Sequence, residues 1–425
     1  MKIKIGPFLV WLTLAATLAF FILAKLAGSG FIFTWLLGSQ LLSLFGVTLL
    51  CLSFVLSSRW RFIENWFGGL DKVYRFHHLL GGLSFVLLIH HPIFLILEVL
   101  PDLNFAWKYL WLSNLLPYNW GVLSLYSMML MLILTLLLNL PYSLWKKTHE
   151  FMGLALLFAG LHIITITSDA SRYLPLRWWI LALLLLALYA AVYRRFLYRF
   201  IGPKYRFVIH NLRRIGDTFA IDMLPEGKNL PFHAGQFVFA KFPELGNESH
   251  PFSIASGPEE KYLRLVAKIL GDYTWKIGTL HEGSPVDLWG PYGKFGEGIL
   301  GDKPLIWIAG GIGVTPFLSL LTAEVQKKQT RQIDFFYCVG DEEEAVFDQE
   351  IKLLSAKAPN IIYHQYPSNV CGRLSAPVLE KLCGDLRQKK IMLCGPIGMM
   401  NSLATQLKAV GVKNRDIIFE DFNFK

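Results

Sequence analysis

The sequence predicts an all-α bundle of six transmembrane helices, followed by a small antiparallel β-barrel and then an α/β doubly wound sheet. Three observations carry this expectation. Of the 425 residues 54% are apolar, and the excess lies almost wholly before residue 200, in six stretches each long enough to cross a bilayer. After Arg199 the chain changes to short alternating strands broken by Gly and Pro turns, which is barrel texture. From Pro304 onward apolar strands alternate with helical stretches, as a doubly wound parallel sheet requires. The expected domains are 1–200, 201–301 and 302–425.

The six spans are read at about 7–27, 38–57, 77–100, 119–140, 149–168 and 177–198. The first follows Lys2 and Lys4 and has the look of a signal peptide, but Lys25 and Leu26 make a poor cleavage site, so it is expected to be retained. Arg59, Arg61, Lys72 and Arg75 lie between spans two and three, Lys146 and Lys147 between four and five, and Arg194, Arg195 and Arg199 after six. The opposite loops carry only Asp102, Lys108, Asp169 and Arg172. The positive-inside rule therefore puts both termini in the cytoplasm of a multi-pass protein of the cell membrane. Trp107, Trp111, Tyr118 and Trp120 in an outer loop are read as interfacial anchors.

Two spans carry paired histidines: His77 and His91 in RFHHLLGGLSFVLLIHHPIF, His149 and His162 in HEFMGLALLFAGLH. An imidazole in a hydrocarbon-buried helix demands a partner or a ligand. The fourteen-residue step from His77 to His91 separates the rings by roughly 21 Å along a helix and returns them within roughly 40° of one face. Packed side by side, the two helices would bring the rings together as an inner and an outer pair, without thiolate or carboxylate nearby, which is what bis-histidine haem iron uses. The thirteen residues from His149 to His162 leave those rings roughly 140° apart on an ideal helix, so this span is expected to bend, twist or bulge. The doublets leave His78 and His90 open as alternatives; His77 with His91 is the combination that keeps one face.

In the second half, strands are read in YRFVIHNL, FAIDML, GQFVFAKF, HPFSIAS, YLRLVAKI and VDLWGPYG, with one helix near 274–281. Buried strands PLIWIAG, QIDFFYCV, NIIYHQY and KIMLCG follow, alternating with helices at 316–328, 345–357, 375–382 and 397–410. The first of these strands runs into IAGGIGVTPF, where Gly310, Gly311 and Gly313 let backbone approach an anion and the helix near Pro316 aims its positive end at it. Cys394, Gly395 and Pro396 close a later strand, so two strand ends face one crevice.

The totals narrow the function. The chain carries a net charge of +10; residues before 200 hold fifteen Lys and Arg against six Asp and Glu, the rest twenty-six against twenty-five. Basicity thus follows membrane topology, and no nucleic-acid surface is expected. The cysteines at 51, 338, 371, 383 and 394 show neither metal spacing nor a secreted disulfide pattern.

HPFSIAS at 250–256, GDYT at 271–274, GPYG at 290–293, IAGGIGVTP at 308–316, LCGP at 393–396 and the terminal FEDFNFK together resemble the flavin and pyridine-nucleotide half of the ferredoxin-reductase superfamily. With six spans and paired histidines in front, the whole chain is similar to the NADPH oxidases and ferric reductases, as a bacterial member without calcium-binding extensions. The resemblance implies FAD, two b-type haems and NADPH, with NADH as the alternative donor. His250, Pro251, Phe252 and Ser253 would line the isoalloxazine and the FAD pyrophosphate, and Lys268, Gly271 and Thr274 the rest of FAD. Gly310, Gly311, Gly313, Thr315 and Pro316 would receive the dinucleotide phosphates, with Gly395 and Pro396 across the crevice and Cys394 beside the nicotinamide. Phe424 would cover the flavin and move for nicotinamide to stack; His77 and His149 would hold the inner haem, His91 and His162 the outer. One departure stands out. After the second sheet strand many NADPH-using relatives carry an arginine, whereas this chain reads CVGDEEE, leaving Arg373 in CGRLS to meet a 2′-phosphate.

The function expected is electron transfer from cytoplasmic NAD(P)H through FAD and two haems to an outer acceptor, O2 giving superoxide. Chelated ferric iron or a quinone is the alternative acceptor, and a histidine-relay channel or transporter with a nucleotide-sensing domain is the non-enzyme alternative. Membrane lipid, NAD(P)H and the acceptor are the expected partners, with no obligatory protein partner.

Overall fold

The computed structural model describes residues 5–28, 30–138, 140–327 and 331–420, and the chain forms two compact units, Met1–Phe200 and Ile201–Lys425. The first unit is helical throughout. Among its described residues six helical stretches are long and apolar enough to cross a membrane. They are α1 (Gly6–Ala27), α2 (Trp35–Leu56), α3 (Leu70–Val99), α4 (Leu116–Leu132, prolonged by a π turn Ile133–Leu137), a fifth made of α5 (Tyr142–Glu150) and α6 (Met152–Thr165), and α7 (Leu174–Val192). A short helix, Arg61–Phe67, joins α2 to α3. Large apolar side chains such as Phe8, Trp11, Leu83, Leu136, Leu137 and Leu185 stand exposed along these helices. Such a surface is stable facing lipid and costly facing water.

The fifth span is interrupted at Phe151, between α5 and α6. This break is the irregularity that the thirteen-residue histidine spacing requires, since a continuous helix would turn one ring away from the partner span. The third span is longer than its apolar stretch, beginning at Leu70, and it tolerates Pro92 inside. Helix α2 lies antiparallel against α3 at close range. A Cβ on Gly46 would stand 2.7 Å from Leu88, and one on Gly38 would stand 2.9 Å from the Phe94 ring. Small residues at a helix contact bring backbones together where lipid supplies no hydrophobic drive.

The second unit begins with a curled six-stranded antiparallel sheet: β1 (Lys204–Ile215), β2 (Thr218–Pro225), β3 (Phe237–Lys241), β4 (His250–Ser253), β5 (Leu263–Lys268) and β6 (Pro285–Tyr292). Its order is β4-β3-β6-β1-β2-β5, and the Ile254–Leu265 bridge draws its two edges together. Phe207, Ile221, Val238, Phe242, Leu265 and Leu288 fill the interior. A five-residue helix, α8 (Asp272–Lys276), follows β5, shorter and slightly earlier than its expected place.

The parallel sheet contains β7 (Leu305–Gly310), β8 (Ile333–Val339), β9 (Ile361–Pro367), β10 (Lys390–Cys394) and a short β11 (Ile417–Phe419), in the order β11-β10-β7-β8-β9. The strand β11 is one the sequence patterning does not announce, because three residues are too few to show a period. Helices α9 (Thr315–Lys327), α10 (Asp348–Ser355), α11 (Ala376–Cys383) and α12 (Ile397–Ala409) cover its faces. Strand β7 is buried at every residue from Leu305 to Gly310, as a central parallel strand between two helical layers must be. The chain reverses direction across the sheet between β7 and β10, which places a crevice at their C-terminal ends. Barrel and sheet share packing: Ala255, Val266 and Phe295 join the cluster around Trp307 and Phe317. Ser319 Oγ also donates to the Ser256 carbonyl at 2.7 Å.

Candidate functional site

In the helical unit, α3 presents His77 and His91 toward α5 and α6. The ring centroids of His77 and His149 are 6.0 Å apart, and those of His91 and His162 are 6.5 Å apart. Two imidazoles bound to one metal from opposite sides, each through a bond of about 2 Å, place their centroids roughly 6 Å apart. Each pair has this spacing. Among the described residues no group of three or more His, Cys, Asp or Glu converges to hold a bare ion. Two levels of two imidazoles fit a porphyrin iron, whose other four ligands come from the macrocycle.

Hydrogen bonds settle which nitrogen faces the gap. His77 Nδ1 donates to the Ser53 carbonyl at 2.9 Å, His91 Nδ1 to the Ser39 carbonyl at 3.1 Å, and His162 Nδ1 to the Pro117 carbonyl at 2.8 Å. A carbonyl only accepts, so each Nδ1 carries the proton and each Nε2 keeps a free lone pair, the form a metal takes. His149 differs: its buried Nδ1 has no hydrogen-bond partner among the described residues, and its ring lies parallel to Trp145 at 5.7 Å. The doublet neighbours His78 and His90 are exposed, and His90 Nδ1 turns back to the Val86 carbonyl of its own helix.

In the barrel, β4 pairs with β3 from His250 opposite Ala240 to Ser253 opposite Phe237. The His250 ring lies 3.9 Å from Tyr273, with Nε2 3.5 Å from the Glu248 carboxylate. Pro251 is half-buried and Ser253 buried. Phe252 points into the barrel core against Phe242, so only its backbone is available to a ligand. Thr274 Oγ1 accepts from the Leu270 and Gly271 amides at 2.9 and 3.2 Å and donates to the Gly271 carbonyl at 3.0 Å, closing the GDYT turn on itself. Lys268, by contrast, pairs with Asp217 at 3.1 Å and lines a cleft with Gly311, Ile312, Tyr337 and Glu344. It stands beside the glycine turn of the parallel sheet.

At that turn β7 ends at Gly310, and Gly311–Val314 makes one tight 3-10 turn before Thr315 and Pro316 open α9. Gly311 has φ +51°, and Gly395, which faces the turn from the end of β10, has φ +154°. A Cβ on Gly395 would meet Gly310 Cα at 2.8 Å, and one on Gly313 would overlap the Cys394 carbonyl. Backbone therefore touches backbone where β7 and β10 end. Cys394 is buried, and Pro396 caps α12. The neighbouring thiol Cys338, on β8, is pushed up to about 12 by burial and is inert at neutral pH.

The acidic turn after β8 is ordered. Asp341 accepts from the Glu343 and Glu344 amides at 3.1 and 3.2 Å, and Glu344 folds back to accept from the Gly340 amide at 3.0 Å. The Gly340 carbonyl in turn accepts from the Asn369 amide at 3.0 Å, which ties the loop carrying exposed Arg373 to the same strand end. Phe424 lies outside the described residues.

Sequence reasoning misses Ser39, Ser53, Pro117 and Tyr273, which touch the named histidines from other elements. One signal was present: Ser39 and Ser53 are separated by the same step as His77 and His91.

Comparison with known proteins matches three family descriptions in chain order: "Ferric reductase like transmembrane component" over residues 42–160, "FAD-binding domain" over 206–294 and "Oxidoreductase NAD-binding domain" over 307–405. Dual oxidase 1 of Caenorhabditis elegans is 36% identical over 111 residues, 24% of this chain and 7% of that protein. Flavohemoprotein A of Dictyostelium discoideum is 25% identical over 206 residues, 44% of this chain and 52% of that protein. A superoxide-generating NADPH oxidase heavy chain of the same organism is 31% identical over 127 residues, 25% of this chain and 25% of that protein. The chain thus spans about half or less of these relatives' own length. A flavohemoglobin structure from Malassezia yamatoensis superposes with TM-score 0.51 at 16% identity, covering 91% of this chain and 95% of that one, a likeness of fold. In one chain, therefore, a ferric-reductase-like transmembrane component is followed by an FAD-binding domain and an oxidoreductase NAD-binding domain.

Proposed function

We propose that the protein carries electrons from cytoplasmic NAD(P)H across the cell membrane to an outer acceptor, O2 giving superoxide. When bound, FAD would accept two electrons and release them singly, and two b-type haems would pass them along the membrane normal. The observation that supports this most is the pair of histidine levels, 6.0 and 6.5 Å across, on helices of one bundle. His77 with His149 would ligate the inner haem and His91 with His162 the outer, each through Nε2. The basic loops around Arg59, Lys72 and Lys146 support cytoplasmic termini, which puts the flavin half on the nucleotide side.

The protein's own groups do the positioning. Gly310, Gly311 and Gly313 with Gly395 open a backbone-lined crevice for the pyrophosphate, and the start of α9 at Thr315 and Pro316 directs partial positive charge into it. Lys268 stands at the edge of this crevice and would neutralise a dinucleotide phosphate there, in place of the FAD contact the motif implies. Strand β4 offers its backbone at Pro251, Phe252 and Ser253 to the isoalloxazine, with His250 held by Tyr273. Cys394 would face the nicotinamide, and Phe424 would cover the flavin. The expected domain limits, 1–200, 201–301 and 302–425, are part of the same proposal.

Oxygen is favoured because one partial relative is named as superoxide-generating and because oxygen needs no built pocket. Ferric chelate is the second reading, carried by the description of the matched transmembrane family. The test is haem-replete purification and a reduced-minus-oxidised spectrum, followed by NADPH and NADH oxidation with superoxide-dismutase-sensitive cytochrome c reduction. Two bis-histidine haems per chain and dismutase-sensitive output are expected. A preparation without a Soret band overturns the proposal.

A further inference from the structure

Helix α2 carries two serines that stand in the same relation to the two histidines of α3. Ser53 faces His77 and Ser39 faces His91, one pair near each end of an antiparallel helix contact. At each level the same three contacts recur. The serine hydroxyl donates to the histidine's backbone carbonyl, at 3.2 Å for Ser53 and 2.9 Å for Ser39. Its oxygen lies 2.9 Å from His77 Nδ1 in one case and 2.7 Å from His91 Nδ1 in the other. The serine's own carbonyl accepts from that same Nδ1.

A hydroxyl has one proton. Committed to the histidine carbonyl, it leaves lone pairs toward the ring, so Nδ1–H is shared between two oxygens of one serine. Both serines are buried, and in apolar surroundings such hydrogen bonds are stronger than in water. The fifth-span histidines have less: His162 has a single carbonyl and His149 has no hydrogen-bond acceptor at Nδ1 among the described residues.

We infer that Ser53 and Ser39 are positioning residues that set the donor strength of His77 and His91 and thereby hold down the reduction potential of the haem at each level. This rests on the haem reading above. An acceptor on Nδ1–H shifts electron density onto the ring, strengthens Nε2 as a ligand and favours the ferric state. The two serines share no contact, so each acts on its own level alone. Because the carbonyl of residue 39 or 53 survives substitution, alanine removes half of the acceptor set without freeing the ring.

The experiment is spectroelectrochemical titration of the full chain in two single-haem backgrounds. In His162→Ala, where only the inner level can be ligated by two histidines, Ser53→Ala raises the midpoint and Ser39→Ala leaves it unchanged. In His149→Ala the roles reverse. Ser53→Thr or Ser39→Thr keeps the hydroxyl and returns the midpoint to its starting value. Unchanged midpoints in both alanine variants, or equal shifts from both serines on one haem, overturn the assignment while leaving the haem reading intact. A wild-type chain without haem overturns both.

Discussion

His91 and His162 face each other within the bundle with ring centroids 6.5 Å apart, and each has its Nδ1 committed to a carbonyl of a different helix, Ser39 of α2 and Pro117 of α4. Four helices therefore fix one pair of nitrogens. Replacing His162 by Ala is expected to halve the haem content and abolish superoxide output. Nucleotide-dependent bleaching of the flavin should persist, since nothing in the soluble unit has changed. Pyridine haemochrome stoichiometry and stopped-flow flavin reduction measure the two separately, and wild-type superoxide output from this variant would count against the scheme.

The His162 ring is also held by an absence. A Cβ on Gly121 would stand 3.1 Å from His162 Nδ1 and 3.2 Å from its Cε1, one helical turn after the Pro117 carbonyl that accepts from the same nitrogen. Gly121→Val must push the imidazole off that carbonyl. Superoxide output should fall about tenfold or more, the scale of a lost hydrogen bond plus overpacking. Gly121→Ala should do less, because a few tenths of an ångström relieve it. Resonance Raman of the outer haem checks whether the ligand has moved.

Much of this site is written in the chain, and the unwritten part has one physical cause. The histidine pairs, the six spans and the glycine turn at 310–313 are legible because each is a periodicity or a local backbone demand. The break at Phe151 is foreshadowed by the odd His149–His162 spacing. Ser39, Ser53 and Gly121 are not legible, because what they do depends on which helix lies opposite, and a serine on an apolar helix reads the same with or without a partner. Phe252 shows the converse: a motif names the residue, but strand alternation decides that its side chain enters the core while its backbone faces out.

The proposed nucleotide choice rests on the end of β8. The acids Asp341 to Glu344 cluster there, and the Asn369 amide bonded to the Gly340 carbonyl brings the Arg373 loop alongside. Arg373→Ala is expected to raise KM for NADPH more than for NADH, because only the former presents a 2′-phosphate to a guanidinium. Glu344→Gln should lower KM for NADPH by removing a like charge. Equal effects of Arg373→Ala on both nucleotides would take Arg373 out of the specificity argument.

Far from the crevice, at the start of β8, Asp334 is buried and accepts from Lys389 Nζ at 3.2 Å, with His364 Nε2 3.8 Å away. Burial opposes its ionisation, but the nearby His364 ring and the hydrogen bond from Lys389 prevail and hold its carboxyl below the usual range. A depressed folded value stabilises above the unfolded pKa of about 3.9 and loses that contribution as pH falls through the folded one. The NAD half should therefore weaken below about pH 4. Asp334→Asn should cost roughly 3–5 kcal/mol at neutral pH by stranding Lys389 and should flatten the acid dependence. Urea unfolding followed by flavin fluorescence reads both, and KM should not move.

The crevice between β7 and β10 makes the last prediction. Gly313 sits under the Cys394 carbonyl and the Gly395 amide, closer than any Cβ could be tolerated, and neither neighbour is a flexible side-chain end. Alanine at 313 must separate the two strand ends or tilt the 3-10 turn that leads into α9. Overpacking of this kind costs about 1–3 kcal/mol, and spread over nucleotide contacts it should raise KM for either nicotinamide cofactor about tenfold or more. FAD content should stay at wild-type level, because β4 belongs to the other sheet and the GDYT turn follows β5 of that sheet. Haem content should stay as well. The combination of full cofactor loading with a raised KM is specific to the crevice: a variant that lost FAD in parallel would show that Gly313 serves the packing of barrel on sheet, around Phe295 and Phe317, and not the approach of the dinucleotide.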